Sequence, residues 1–163
     1  MLWVSKRVFK PESYTPRDVI GVDVNKEKIV YGDESINGEK STEISRAERF
    51  KVLVELLQKK HFSLRYPAWK RRRGILNRIK AYHKKAKNIL VDNARKVALE
   101  IVATAKRLGY AVAREDLKCL KELLRKLPKN HRTRLLLMGY SRIGKWIDWQ
   151  SLKHGVLKSS GRC

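Results

Sequence analysis

Two acidic side chains stand where chemistry is possible. Asp23 lies near the end of the apolar run Val19-Ile20-Gly21-Val22-Asp23-Val24-Asn25, and Glu115 follows Tyr110-Ala111-Val112-Ala113-Arg114. Carboxylates at the carboxyl ends of adjacent strands can converge on divalent cations without moving the backbone. A pair of Mg²⁺ ions about 3.5–4 Å apart, held by such oxygens, activates water and stabilises the leaving oxygen in phosphodiester hydrolysis. That geometry requires the strand of Asp23 and the strand of Glu115 to be neighbours, which the long helical stretch between them permits. The ordinary alternative is a turn-forming Asp and a helix-initiating Glu. Asp116 beside Glu115 suits that alternative, since Asp is common at helix N-caps.

The rest of the chain is strongly basic, with 39 Lys and Arg against 16 Asp and Glu and a formal charge of +23. Ion-pair networks in heat-adapted proteins balance Lys and Arg with Glu. Without that balance a polyanionic partner is the expectation, nucleic acid first and an anionic membrane surface second. Hydrophobic residues make up 42% of the 163 positions, enough for one domain with a real core and too many for a disordered basic tail. Cys119 and Cys163 are too few for a disulfide framework, and His61, His83, His131 and His154 are too scattered for a metal site. No apolar run approaches the ~20 residues of a membrane span. The opening Met1-Leu2-Trp3-Val4-Ser5-Lys6-Arg7 lacks the apolar block of a secretory signal. A cytoplasmic protein without a membrane partner is expected.

Residues 1–17, with Pro11 and Pro16, read as a linker or the stump of a preceding region. Asp18–Val24 reads as a buried strand and Lys28–Gly32 as a second. Gly32–Gly38 reads as a turn-rich connection and Ser41–Ser45 as a third, edge strand. Ser45 with Glu48 has capping-box spacing, and Phe50, Leu53, Val54 and Leu57 then mark one helix face. From Ile75 through Ile79, Tyr82, Ala86, Leu90, Ala94, Val97, Ile101 and Ala105 to Leu108, apolar residues recur about every 3.6 positions. This predicts one amphipathic helix closed by Gly109 and roughly 50 Å long, whose first half projects or packs on another element.

That first half is also the basic half. Between Arg65 and Lys96 lie Arg65, Lys70, Arg71, Arg72, Arg73, Arg78, Lys80, Lys84, Lys85, Lys87, Arg95 and Lys96 against the single acid Asp92, with Tyr66, Trp69 and Tyr82 interleaved. So one-sided a run would repel itself without a partner, which favours a surface that tracks a phosphate backbone. The aromatics suit either base stacking or core packing. A strand at Tyr110–Arg114, a basic helix over Leu117–Leu127 and a last helix capped at Asn130 or Thr133 complete the pattern. Gly139 and Gly144 inside that last helix suggest close approach of a neighbour. Trp146 and Trp149 on it leave homo-oligomerisation open. The tail from Lys158 to Cys163 carries no structural signal of its own.

Ile20-Gly21-Val22-Asp23-Val24-Asn25, followed by Lys28-Ile29-Val30-Tyr31-Gly32-Asp33, resembles the first RuvC motif of the transposon-encoded TnpB (OrfB) transposase-associated nucleases, relatives of type V CRISPR nucleases. Glu115-Asp116-Leu117, after a strand and a long basic helix, resembles the second motif. Tyr140–Gln150 with Lys153-His154-Gly155 is similar to the helix that the family places after it. The resemblance runs from about Asp18 to Gly155. It implies an α/β ribonuclease-H-like (RuvC) fold, with Asp23 and Glu115 as catalytic ligands of Mg²⁺ or Mn²⁺. It also implies RNA-guided DNA cleavage, in which DNA and a guide RNA are the partners.

The family places a zinc ribbon and a third motif, with the last catalytic Asp, beyond this point. Ser159-Ser160-Gly161-Arg162-Cys163 resembles the entry to the ribbon. The expectation is therefore a RuvC domain over 18–155, incomplete at its C-terminus, with 156–163 as a tail. One Cys cannot hold zinc, and no acid clearly replaces the third carboxylate; Asp148 falls mid-helix. Nucleic-acid binding with weak or absent cleavage is the functional expectation. Its rivals are a non-catalytic DNA- or RNA-binding module and a ribosome-associated structural protein.

Overall fold

Alternation builds the central strands. Ile20 and Val22 are the buried residues of β1 (Val19–Val24), and Ile29 and Tyr31 those of β2 (Lys28–Gly32). A computed structural model describes residues 11–25, 27–62, 69–115 and 140–161, with the backbone alone at 62, 69–73, 115, 140, 141, 160 and 161. With β3 (Asn37–Ser41), β4 (Ala111–Glu115) and β5 (Lys158–Gly161), the strands form one sheet in the order β3-β2-β1-β4-β5. Only β2 runs against the others.

Three helices complete the described structure: α1 (Ile44–Phe62), α2 (Trp69–Leu108) and α3 (Tyr140–His154). The C-terminal half of α2 lays Ala94, Val97, Ala98, Ile101, Val102 and Ala105 on the sheet, and α3 adds Ile143 and Ile147. Each fully buried Ile or Val in that layer contributes about 1.5–3 kcal/mol relative to exposure. The 40 residues of α2 span about 60 Å. Its N-terminal half packs on α1: Ala86 and Leu90 meet Ile44 and Ala47, while Ile75 and Ile79 meet Val54. The start of α1 thus lies against the later of these α2 residues, and the two helices are antiparallel. Gly109 ends α2 with φ +72°, the left-handed conformation that glycine adopts without a Cβ penalty. No helix among the described residues is long and apolar enough to cross a membrane.

Three expectations change. The third strand begins at Asn37, not at Ser41, because Asp33 closes a tighter loop than its glycines suggested. Its Oδ1 accepts from Ser35 N at 2.8 Å and Ile36 N at 2.7 Å, while Asp33 N donates to Ile36 O at 2.9 Å. The donated Ser35 N–H also holds the Asp33 carboxyl below its ordinary pKa. Ser45 does not cap α1. Glu43 turns the chain at φ 53° and accepts the first helical bond from Ala47 N, so Ser45 falls inside the first turn.

The third change is at the tail. Residues 158–161 of the expected tail over 156–163 are β5, paired in parallel with β4 from Val112↔Lys158 to Glu115↔Gly161. An edge strand of Lys, Ser and Gly has no apolar alternation to reveal it. Residues 11–17 of the expected linker are also docked. Tyr14 donates its hydroxyl to Tyr110 O at 2.5 Å, and Arg17 N donates to Gly109 O at 2.9 Å. The helix expected at Leu117–Leu127 and the caps Asn130 and Thr133 lie outside the described residues.

Asp148 ties three elements together. Arg114 Nη2 on β4 lies 2.9 Å from its Oδ2, and Lys158 Nζ on β5 lies 3.3 Å from its Oδ1. Gly144 makes room, since a Cβ there would stand 2.9 Å from Arg114 Nη1. The close approach at this glycine is thus made by a guanidinium. With both side chains of the Arg114 pair about 30% exposed, Asp148→Ala is expected to cost about 1–2 kcal/mol in urea unfolding. Lys96→Ala breaks only the exposed i,i+4 pair with Asp92 and should cost less than about 0.5 kcal/mol. Equal costs for the two variants would refute a structural role for the Asp148 cluster.

Candidate metal centre and nucleic-acid interface

The side chains that face α2 and α3 from β1 are Ile20 and Val22, so Asp23 belongs to the opposite, exposed face. Asn25 Nδ2 donates to Asp23 Oδ2 at 2.8 Å, which orients the carboxylate and leaves Oδ1 without a hydrogen bond among the described residues. β1 and β4 are parallel neighbours in the register Val19↔Ala111, Ile20↔Val112, Gly21↔Ala113, Val22↔Arg114. One step further along both strands stand Asp23 and Glu115. Their backbone positions are therefore adjacent at the carboxyl end of the sheet, on strands about 4.8 Å apart. The buried stripe of α2 carries the chain back across the sheet, and its reversal at Gly109 sets this register.

An open hollow of about 480 Å³ lies over the strands here, lined by Gly21, Asp23, Gly32, Asp33, Asn37 and Ala113. Small residues across three strands keep it shallow and reachable by a large substrate. Asp33, one residue past the Gly21↔Gly32 pair, is three steps along β1 from Asp23, or about 10 Å. Its Oδ1 already closes its own loop. Asp148 takes ion pairs from Arg114 and Lys158 and is no ligand. Among the described residues no group of three or more His, Cys, Asp and Glu could hold a metal. Carboxylate, the side-chain type that Asp23 and Glu115 carry at these adjacent strand ends, is the donor that hard cations such as Mg²⁺ or Mn²⁺ take.

The basic surface divides in two. Arg78, Lys80, Lys84, Lys85 and Lys87 on α2 are exposed. Arg78, Lys80, Lys84 and Lys87 have no carboxylate partner among the described residues. Lys85 Nζ lies 4.8 Å from the Phe50 ring centroid. Lys70, Arg71, Arg72 and Arg73 belong to the first turns of α2, where the backbone alone is described. Tyr82 packs against Phe50, ring centroids 5.8 Å apart, and joins the α1–α2 core rather than offering a stacking platform. Trp69 is described by its backbone alone, and Tyr66 lies outside the described residues.

Sequence reasoning missed a second cationic array. Arg95, Trp146, Trp149 and Lys153 line up across α2 and α3 as cation, ring, ring and cation. Trp146, Trp149 and Lys153 recur at the i, i+3, i+7 spacing of one helix face, a signal legible in the sequence. Arg95 joins them only through the packing of the two helices.

No family model matches this sequence. A solved structure does: Cas12f1, captured by cryo-EM in a complex with sgRNA and target DNA. The match has a TM-score of 0.58 at 15% identity and covers 93% of this chain but 30% of the Cas12f1 chain. This chain has the fold of one part of Cas12f1. At that identity the likeness is one of fold, and the chain spans less than a third of the protein it matches.

Proposed function

We propose that this chain is the nucleic-acid-binding, RuvC-type part of an RNA-guided DNA endonuclease of the transposon-encoded TnpB kind, with a ribonuclease-H-like sheet. The observation that carries the proposal is the adjacency of Asp23 and Glu115 at the carboxyl ends of parallel neighbouring strands in a chain of charge +23. The fold shared with part of Cas12f1, a protein seen with sgRNA and target DNA, supports it. In this reading Asp23 and Glu115 hold Mg²⁺ or Mn²⁺, and Asn25 fixes the Asp23 carboxylate. The cation, when bound, supplies charge neutralisation at a phosphate and a more acidic water. Arg78, Lys80, Lys84, Lys85 and Lys87 hold phosphate backbone without reading bases, and a guide RNA supplies sequence by pairing.

A non-catalytic binding module is the second reading, favoured by the engagement of the other nearby acids, since Asp33 closes its own loop and Asp148 pairs with Arg114 and Lys158. Two carboxylates grip paired cations weakly, so these 163 residues alone are expected to cut DNA slowly or not at all. Mn²⁺ titration followed by electron paramagnetic resonance separates the two readings. The catalytic-core reading expects weak Mn²⁺ binding that Asp23→Ala and Glu115→Ala each abolish, with nucleic-acid affinity unchanged or slightly raised. Mn²⁺ binding that neither variant alters would leave the non-catalytic module. Fast Mg²⁺-dependent cutting lost in Asp23→Ala would overturn the expectation of weak activity.

A further inference from the structure

Trp146 and Trp149 stand one turn apart on α3, their rings edge to face with centroids 5.6 Å apart and planes at 84°. Arg95 of α2 sets its guanidinium carbon 5.1 Å from the Trp146 centroid, and Lys153 sets its ammonium 5.4 Å from that of Trp149. Trp146 packs on the core, whereas Trp149 is 50% exposed. Beside Trp149 a cavity of about 470 Å³ opens between α3 and the start of β5, lined by Lys145, Asp148, Ser151, Leu152, Val156 and Lys158 among others. That volume lies within the range of small-molecule sites.

The exposed apolar groups here would accept many partners; the charge around them selects one. Lys145 and Lys158 line the cavity and Lys153 stands over the Trp149 ring, while Asp148, the one acid among the described lining residues, is already paired with Arg114 and Lys158. A second copy of this chain would bring +23 of like charge to the same place. A nucleotide brings an aromatic face, polar base edges and an anionic phosphate together.

We propose that this surface binds an unpaired nucleotide of a single-stranded nucleic acid. The base stacks on the exposed Trp149 ring, and the flanking phosphates lie against Lys145 and Lys153, one turn to either side of it on α3. The site is distinct from the Arg78–Lys87 stripe in what it reads: it requires bases, whereas the stripe requires phosphates. The proposal rests on the nucleic-acid reading above and not on the metal.

The test is fluorescence anisotropy with the full chain, using DNA and RNA single strands of about fifteen nucleotides, the same DNA strand with abasic sites, and a duplex. Trp149→Ala should weaken single-strand binding about ten-fold and leave duplex and abasic binding unchanged. Trp149→Phe, which keeps a stackable ring, should restore most of the loss and show that the fold is intact. Loss on the DNA arm alone or the RNA arm alone supports the site and identifies its strand. Unchanged affinity for both single strands overturns it. A changed sedimentation coefficient with unchanged single-strand affinity also overturns it, and makes the surface an interface between copies. If Trp149→Ala has no effect while removal of the α2 charges weakens every probe, this inference falls and the nucleic-acid reading stands. If neither has an effect, both fall.

Discussion

Replacing Arg78, Lys80, Lys84, Lys85 and Lys87 together by Gln is expected to weaken duplex binding about 10²–10³-fold near 0.1 M salt. Each Lys or Arg on a phosphate releases condensed counterions and contributes about 0.9 to the slope of log affinity against log salt. Neutralising all five side chains should therefore flatten that slope by about 4.5. Gln keeps helix propensity close to that of Lys and Arg. Four of the five side chains have no carboxylate partner among the described residues, so α2 should hold its packing on α1. Only Lys85 gives up an interaction, its cation–π approach to Phe50, worth about 0.5–1 kcal/mol at an exposed site. The loss of affinity should be similar for unrelated DNA sequences, because side chains on phosphates position a duplex without reading it. A salt slope unchanged from the parent protein would show that this stripe is merely solvated and that +23 serves something else.

The parts of the fold legible in the sequence are those where burial imposes a period. Ile20 and Val22 alternate, the stripe from Ile75 to Leu108 keeps 3.6, and Gly109 marks the end of α2. These features make β1, β2, α2 and β4 recoverable within a residue or a few. The third strand is not, because its sequence, Asn37-Gly38-Glu39-Lys40-Ser41, has no apolar alternation. Only the register shows why Gly38 is there: a Cβ at that position would stand 2.3 Å from the ring of its partner Tyr31. β5 escapes for the same reason, being held by backbone pairing and by Lys158 to Asp148 rather than by a buried face. The placement of Asp23 beside Glu115 follows from a motif and a condition on strand order. The cation–aromatic array needs the α2–α3 packing, since no local pattern links Arg95 to Trp146.

Ile101→Ala is expected to have the largest effect on stability, about 2–5 kcal/mol. The side chain is 0% exposed and lies in the layer where α2 meets β1, β4 and α3, so its removal loses transfer energy and leaves a cavity that few neighbours can close. Against a typical total of 5–15 kcal/mol, that should lower the melting temperature by about 5–15 °C. Leu99→Ala on the same helix is the control, since Leu99 is 45% exposed and should cost less than about 1 kcal/mol. The contrast isolates packing from helix propensity, because Ala is the best helix former in both variants. The consequence reaches the proposed site, because in the proposed reading α2 serves both functions along one rod. Its N-terminal half presents the cations, while its C-terminal half presses β1 and β4 into the register that sets Asp23 beside Glu115. Below the melting transition, Ile101→Ala should therefore weaken Mn²⁺ binding more than nucleic-acid binding. An equal loss of both would show that the two halves of α2 do not act separately.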